Sequence, residues 1–270
     1  MFKKTTTVMT LLAAFVAAPA FAAATHDTAS YTTNTLAAND DGYTGVVNLG
    51  FNVNFFGQSF SSVYVNNNGN VSFDAPLGTY TPFSLLSTST PMLAPFFADV
   101  DTRGANSGVV QYGQAFLNGH NTFGVNWLNV GYYPAASDKL NSFQLIVTDR
   151  SDIAAGDFDF QFNYDQITWE TGGASGGSNG FGGSSARAGW SNGAFNTLEL
   201  AGSAVNGALL DGGSNALIGS SLNSNVLGQY NFQVRNGAVI SAVPEPETFA
   251  MLLAGLGLVG AIARRRQKSV

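Results

Sequence analysis

Polar and apolar positions alternate most strictly over residues 157–170, DFDFQFNYDQITWE. Phe158, Phe160, Phe162 and Tyr164 take every second place, with Asp157, Asp159, Gln161, Asn163 and Asp165 between them. A period of two belongs to a strand with one buried face; a helix would spread the rings around its axis. Rings bury large areas and suit a pleated surface, so the aromatic side is expected to face a core. Beyond Asp165 the phase changes, and Ile167 and Trp169 carry the apolar side. A bulge or tight turn at Asp165-Gln166 accounts for the slip. The acids on the other face are read as a solvated surface.

Shorter runs repeat the pattern. Val63, Val65, Val71 and Phe73 flank Asn68-Gly69, a pair that tolerates positive φ and gives the best hairpin signal in the chain. Phe123, Val125 and Trp127 alternate, as do Phe143, Leu145 and Val147, and again Tyr230, Phe232 and Val234. Pro91 and Pro95 argue against a central strand at the start of residues 91–101, with pairing expected from Phe96 onward. Residues 171–185 are mostly glycine and serine and are expected to form a flexible loop. Residues 23–39 are expected to be a mobile lead-in with an edge strand near Tyr31. With no helical stripe between the two ends of the chain, the fold class is all-β and sandwich-like. Its short, mostly antiparallel strands are joined by long loops rich in glycine, serine and asparagine.

The ends follow different rules. Residues 1–22 place Lys3 and Lys4 before an apolar run at 8–18 and small residues at Ala20 and Ala22, the order of a secretory signal peptide. The run is shorter than the ~20 residues a membrane span needs. The organisation expected is a signal peptide at 1–22, a lead-in at 23–41, an all-β domain at 42–237, a linker at 238–243 and a sorting segment at 244–270.

Between the ends, residues 23–243 hold five basic and fifteen acidic side chains. Such a surface repels phosphate backbones, so no nucleic-acid partner is expected. The absence of cysteine excludes disulfides, thiolate metal sites and a cysteine nucleophile. His26 lies in the lead-in and His120 in a turn, with no nucleophile-elbow or HExxH pattern, so the chain is read as a non-enzyme. A carboxylate pair acting on polysaccharide is the enzymatic alternative, because only spatial separation defines such a pair. Calcium is the candidate ion: Asp99, Asp101, Asp157 and Asp159 offer hard oxygens, although Arg103 and Arg150 are placed to pair with some of them. Tyr132, Tyr133 and Trp190 are read as rings beside loops, able to stack on sugar faces.

Several ordered stretches carry a resemblance. GFNVNFFGQSFSSVYVNNNGNVSF, PMLAPFFADVDTRG, NTFGVNWLNVGYY, DKLNSFQLIVTDRSD, GDFDFQFNYDQITWETG and SARAGWSNG together resemble the extracellular nidogen-like (NIDO) domain, from Gly42 to Gly237. The tail resembles the PEP-CTERM sorting signal: Pro244, Glu245 and Pro246, an apolar helix over 248–263, then Arg264, Arg265 and Arg266. The apolar residues 249–263 make about 23 Å of helix against a hydrocarbon core of ~30 Å, marginal for a permanent span. The arginines favour a cytoplasmic C-terminus. Together the resemblances imply an exported bacterial protein of the cell-envelope surface or extracellular matrix, acting in cell–matrix adhesion. Its expected partners are an extracellular polysaccharide or matrix and surface proteins. An exosortase-type enzyme would process it after transient membrane insertion of its C-terminal helix. A passive structural matrix component is the other alternative.

Overall fold

The computed structural model describes residues 23–240. The expected signal peptide and the C-terminal sorting segment with its apolar helix lie outside the described residues. Among the described residues thirteen strands form two sheets. The chain runs through β1 (Asn34–Leu36), β2 (Val47–Phe55), β3 (Gln58–Asn66), β4 (Asn70–Ser72) and β5 (Pro91–Phe97). It continues through β6 (Val110–Leu117), β7 (His120–Tyr132), β8 (Ala136–Asp149) and β9 (Phe158–Gln166). Last come β10 (Arg187–Asn192), β11 (Thr197–Glu199), β12 (Gln229–Arg235) and β13 (Ala238–Ile240). One sheet has the order β1-β6-β7-β8-β9-β12-β13 and the other β11-β10-β5-β4-β3-β2. Every pairing of these strands is antiparallel. The fold is an all-β sandwich.

The alternating aromatics of β9 build the middle of the core. Phe158, Phe160, Phe162 and Tyr164 are all buried. Phe160 stacks on Phe232 of the adjacent β12 at 4.7 Å, and Trp127 of β7 stacks on Phe143 of β8 at 5.3 Å. Across the gap, Phe96 of β5 meets Phe143 at 5.4 Å, and Phe55 of β2 meets Phe158 at 6.0 Å edge-on. The phase slip is a bulge. Tyr164 pairs with Phe143 and Gln166 with Ser142, which leaves Asp165 as the extra residue. The slip turns Ile167 and Trp169 into the core, both 0% exposed.

Five expectations change. β5 is central and wholly buried despite Pro91 and Pro95. Pro91 opens the strand, and Pro95 falls where the pairing with β10 shifts register, two places where a missing N–H costs no ladder bond. The lead-in is packed rather than mobile. Tyr31 is 0% exposed and donates to Thr122 Oγ1 at 3.0 Å, and β1 pairs with β6. Gly124 makes room for this, because a Cβ there would strike the Tyr31 ring. The lead-in also covers the polar face of β8 and β9. The Gln144 amide donates to the His26 carbonyl at 2.9 Å, and the His26 Nε2 bonds Gln161 at 3.0 Å, so that face is partly sealed rather than solvated. The glycine-rich loop is held by backbone bonds, including Gly173 N–H to Tyr133 O at 2.8 Å and Ser184 N–H to Ser175 O at 2.9 Å. Finally, residues 238–240, expected as linker, return as the edge strand β13.

Deleting a ring at the centre of this core removes both its burial and its stacking partner. Phe160→Ala is expected to cost about 4 kcal/mol and lower the melting temperature by roughly 10 °C. Gln233→Ala, on the exposed face of β12, is expected to stay within about 0.5 kcal/mol. Thermal melts of the two variants check the assignment of faces.

Candidate functional site

At one end of the sandwich, several chain segments converge on the turn between β3 and β4. The turn is a string of asparagines around Gly69, and Asn66, Asn67, Asn68 and Asn70 are all buried. Gly69 has φ +71, and a Cβ there would fall on the Phe96 carbonyl oxygen, so the turn requires glycine twice over. The asparagines bond several segments between them. The Asn67 amide donates to the carbonyls of Val100 (2.6 Å) and Asp40. The Asn68 amide donates to Asp41 Oδ1 at 2.9 Å and to the Thr79 carbonyl at 3.2 Å. Asn68 Oδ1 accepts from the Val100 N–H at 2.9 Å, Asn66 Oδ1 accepts from the Leu77 N–H at 2.9 Å, and the Trp127 indole donates to the Asn67 carbonyl at 3.1 Å.

This arrangement fixes where the acids sit. Carboxylate oxygens of Asp40, Asp41 and Asp99 lie within 4.8 Å of one another. Asp99, which follows β5, is 1% exposed, and neither of its oxygens has a hydrogen-bond partner. Burial and then the charges of Asp40 and Asp41 push its carboxyl up to about 7; the peptide groups of Ser175 and Ala174 lie near enough to lower it in part but do not close a hydrogen bond of ordinary geometry. Asp40 is pushed up to about 6, by burial first and then by Asp101 and Asp41, against the opposing charge of Arg103. A carboxyl raised in the folded state favours folding below the ordinary carboxylate pKa, and that contribution is lost as pH rises through the raised value. Near neutral pH the bare cluster therefore works against folding. The glycine-rich loop closes over it: a Cβ on Gly172 would strike the Asp99 carboxylate, so only glycine brings the backbone this near.

The acids singled out from the sequence do not share one site. Asp101 is 0% exposed but is taken by Arg103, whose Nε and Nη2 reach its two oxygens at 2.9 and 2.6 Å, while the Ala135 N–H donates at 2.7 Å. Burial alone would raise that carboxyl, and the Arg103 and Ala135 bonds hold it below its ordinary value instead. Asp157 is buried and accepts from the Asn236 N–H at 2.7 Å. Asp159 pairs with Arg150 at 2.9 Å and Arg235 at 2.7 Å. Of the four, only Asp99 enters the three-acid cluster. Its partners Asp40 and Asp41 carried no strand or motif signal, only an Asp-Asp-Gly turn composition that resembles many solvated turns.

The rings are also redistributed. Tyr132 is 4% exposed and packs on Trp169 at 5.5 Å, and Trp190 is 6% exposed and stacks on Phe56 at 5.4 Å. Both are core residues, because the loops beside them fold inward. Tyr133 is half-buried with the Arg103 guanidinium 6.0 Å from its ring. The rings exposed near the acids are instead Tyr43 and Tyr80. Gly78 approaches both the Tyr43 ring and the Asp41 carbonyl, and the Tyr80 carbonyl accepts from Ser175 Oγ at 3.3 Å.

His26 and His120, far apart in the sequence, line one cavity of about 120 Å³ with Asp27, Thr122 and Gln161. The Thr122 hydroxyl accepts from Tyr31 at 3.0 Å and donates its one proton to the Ala115 carbonyl at 3.2 Å.

The antiparallel sandwich, with ordered loops gathered at an acid-lined end, is an all-β module. The nidogen-like domain family matches residues 61–236, and the chain belongs to that family. The PEP-CTERM protein-sorting motif matches residues 242–267, outside the described residues. Mouse alpha-tectorin is 34% identical over 189 residues, which is 61% of this chain and 8% of the tectorin. Human alpha-tectorin is 35% identical over the same length and shares, and Drosophila melanogaster nidogen is 28% identical over 129 residues, 39% of this chain and 9% of the nidogen. The chain thus spans less than a tenth of the length of these curated relatives. No solved structure matches it. The domain and the sorting motif together point to an exported, extracellular or surface protein.

The Asp101–Arg103 pair braces the strand exit that carries Asp99. Arg103→Gln is expected to lower the melting temperature by leaving Asp101 buried without its partner. Asp101→Asn with Arg103→Gln is expected to cost less than the sum of the single changes, and a double-mutant cycle by denaturant melts measures that coupling.

Proposed function

We propose that this chain is a secreted bacterial surface or matrix protein whose nidogen-like sandwich is a non-catalytic adhesion module. The observation that carries the reading is the order of its parts. A nidogen-like domain ending at 236 runs within a few residues into a PEP-CTERM motif at 242–267. Such an arrangement suits a domain that is exported, sorted through its tail and left outside the cell. Pro244, Glu245 and Pro246 supply the motif that an exosortase-type enzyme would recognise, and Arg264, Arg265 and Arg266 would favour a cytoplasmic end until cleavage.

The ligand is an extracellular polysaccharide or a matrix or surface protein, met at the loop end rather than on a sheet face. The exposed Tyr43 and Tyr80 support this placement, since each presents an apolar ring and a hydroxyl at low conformational cost beside an acidic surface. The two rings replace Tyr132 and Trp190 as stacking candidates, and Tyr133 stays at the margin of the same end.

Two measurements test the reading. Mass spectrometry of surface-released protein is expected to find a chain ending near the PEP motif; an intact residue 249–263 segment contradicts processing. Retention of the purified domain on matrix material from the producing cells is expected to fall about tenfold in Tyr43→Ala/Tyr80→Ala, with an unchanged melting temperature. Turnover of a glycan panel by the same domain would instead establish a polysaccharide-acting enzyme.

A further inference from the structure

We propose that Asp40, Asp41 and Asp99 bind one calcium ion, which ties the lead-in to the exit of β5 beneath the glycine-rich loop. The geometry suits that ion. Calcium is held by oxygens at ~2.3–2.6 Å, so ligands on opposite sides of it stand nearly 5 Å apart. The three carboxylates offer oxygens within 4.8 Å of one another. No histidine or cysteine joins them, so the donor set is all oxygen, which selects a hard cation. Waters complete its coordination.

The second observation is independent of the clustering. Asp99 is 1% exposed with both oxygens lacking partners, and Asp40 Oδ1 is likewise buried and without a partner. Buried carboxylates are ordinarily answered by a cation or by N–H donors. Among the described residues only Arg103 reaches the cluster, through the Oδ2 of Asp40, and the other four basic residues are engaged elsewhere. Lys139 pairs with Asp138, Arg150 with Asp152 and Asp159, Arg187 with Glu199, and Arg235 with Asp159. Arg103 spends its guanidinium on Asp101 and on the Oδ2 of Asp40, leaving the Oδ1 of Asp40 for the cluster. A mobile cation from solvent supplies what the sequence does not.

The site also has an entrance and a floor. Asp40 and Asp41 are half-exposed at the surface, and Asp99 lies beneath them. The Asn68 amide pins Asp41 Oδ1 at 2.9 Å, and Gly172 lets the loop backbone lie against Asp99 without a side chain. The ligands are thus held in place before the ion arrives, and binding pays little ordering entropy.

The test uses the exported full-length protein, titrated with calcium chloride in a calorimeter and melted in calcium and in chelator. One ion per chain is expected, with a melting temperature that rises with calcium concentration. Asp99→Asn is expected to remain folded, to melt in chelator at or above the wild type, and to lose the calcium response. Asp41→Asn, at the exposed edge, is expected to weaken binding about tenfold or more. Asp159→Asn, in the separate arginine-paired site, is expected to keep the full response. Equal melting in calcium and chelator with no heat of binding overturns the proposal. So does a calcium response that survives in both Asp99→Asn and Asp41→Asn.

Discussion

A turn buried inside a protein must satisfy its own polar groups, because water cannot reach them. The β3–β4 turn of this sandwich meets that demand by exporting side-chain amides. Its asparagines reach the lead-in at Asp40, the Asp41 carboxylate, the segment at 77–79 and the backbone of Val100. The backbone of the turn joins in, with Phe96 N–H donating to the Gly69 carbonyl at 3.1 Å and Asn67 N–H to the Gly42 carbonyl at 2.9 Å. One short turn therefore sets the relative positions of segments that are distant in the sequence. Without it, the hydrogen bonds that hold those segments have no alternative partner in the core.

The loop end of the molecule inherits this constraint. Loops rich in glycine and asparagine would ordinarily be mobile, yet here they are stitched to the turn and to one another, including Tyr133 N–H to the Asp99 carbonyl at 3.3 Å. Rigid positioning brings three carboxylates together at a cost in repulsion and desolvation that the apolar core has to outweigh. It also presents Tyr43 and Tyr80 on a fixed frame. The sheets provide stability, and the stitched end provides a surface whose chemistry is acidic, aromatic and preorganised.

How much of this was legible in the sequence depends on the range of the interaction. Period-two alternation reports local facing, so β9, its bulge at Asp165 and the Asn68-Gly69 hairpin were readable from neighbours alone. Pro91 and Pro95 misled because their tolerance depends on a register shift against β10, which no local pattern encodes. The lead-in misled for a related reason: Ala, Thr and Asn composition says nothing of the space that Gly124 leaves for Tyr31. Composition likewise identified the glycine-rich loop but not the backbone bonds that order it. At the loop end, Asp99 was visible as one of several acids, while Asp40 and Asp41 join it only through the asparagine turn. Tyr132 and Trp190 looked exposed because they flank loops, and the inward fold of those loops buries them.

The central claim is that the buried asparagine turn couples the segments of the loop end into one cooperative unit. Hydrogen exchange measured on the wild type and on Asn67→Ala tests it directly. The account predicts that amides at 40–44, 96–101 and 171–177 lose protection together, while those in β7, β8, β9 and β12 keep theirs. Loss confined to residues 66–70, or spread evenly over both sheets, would contradict it.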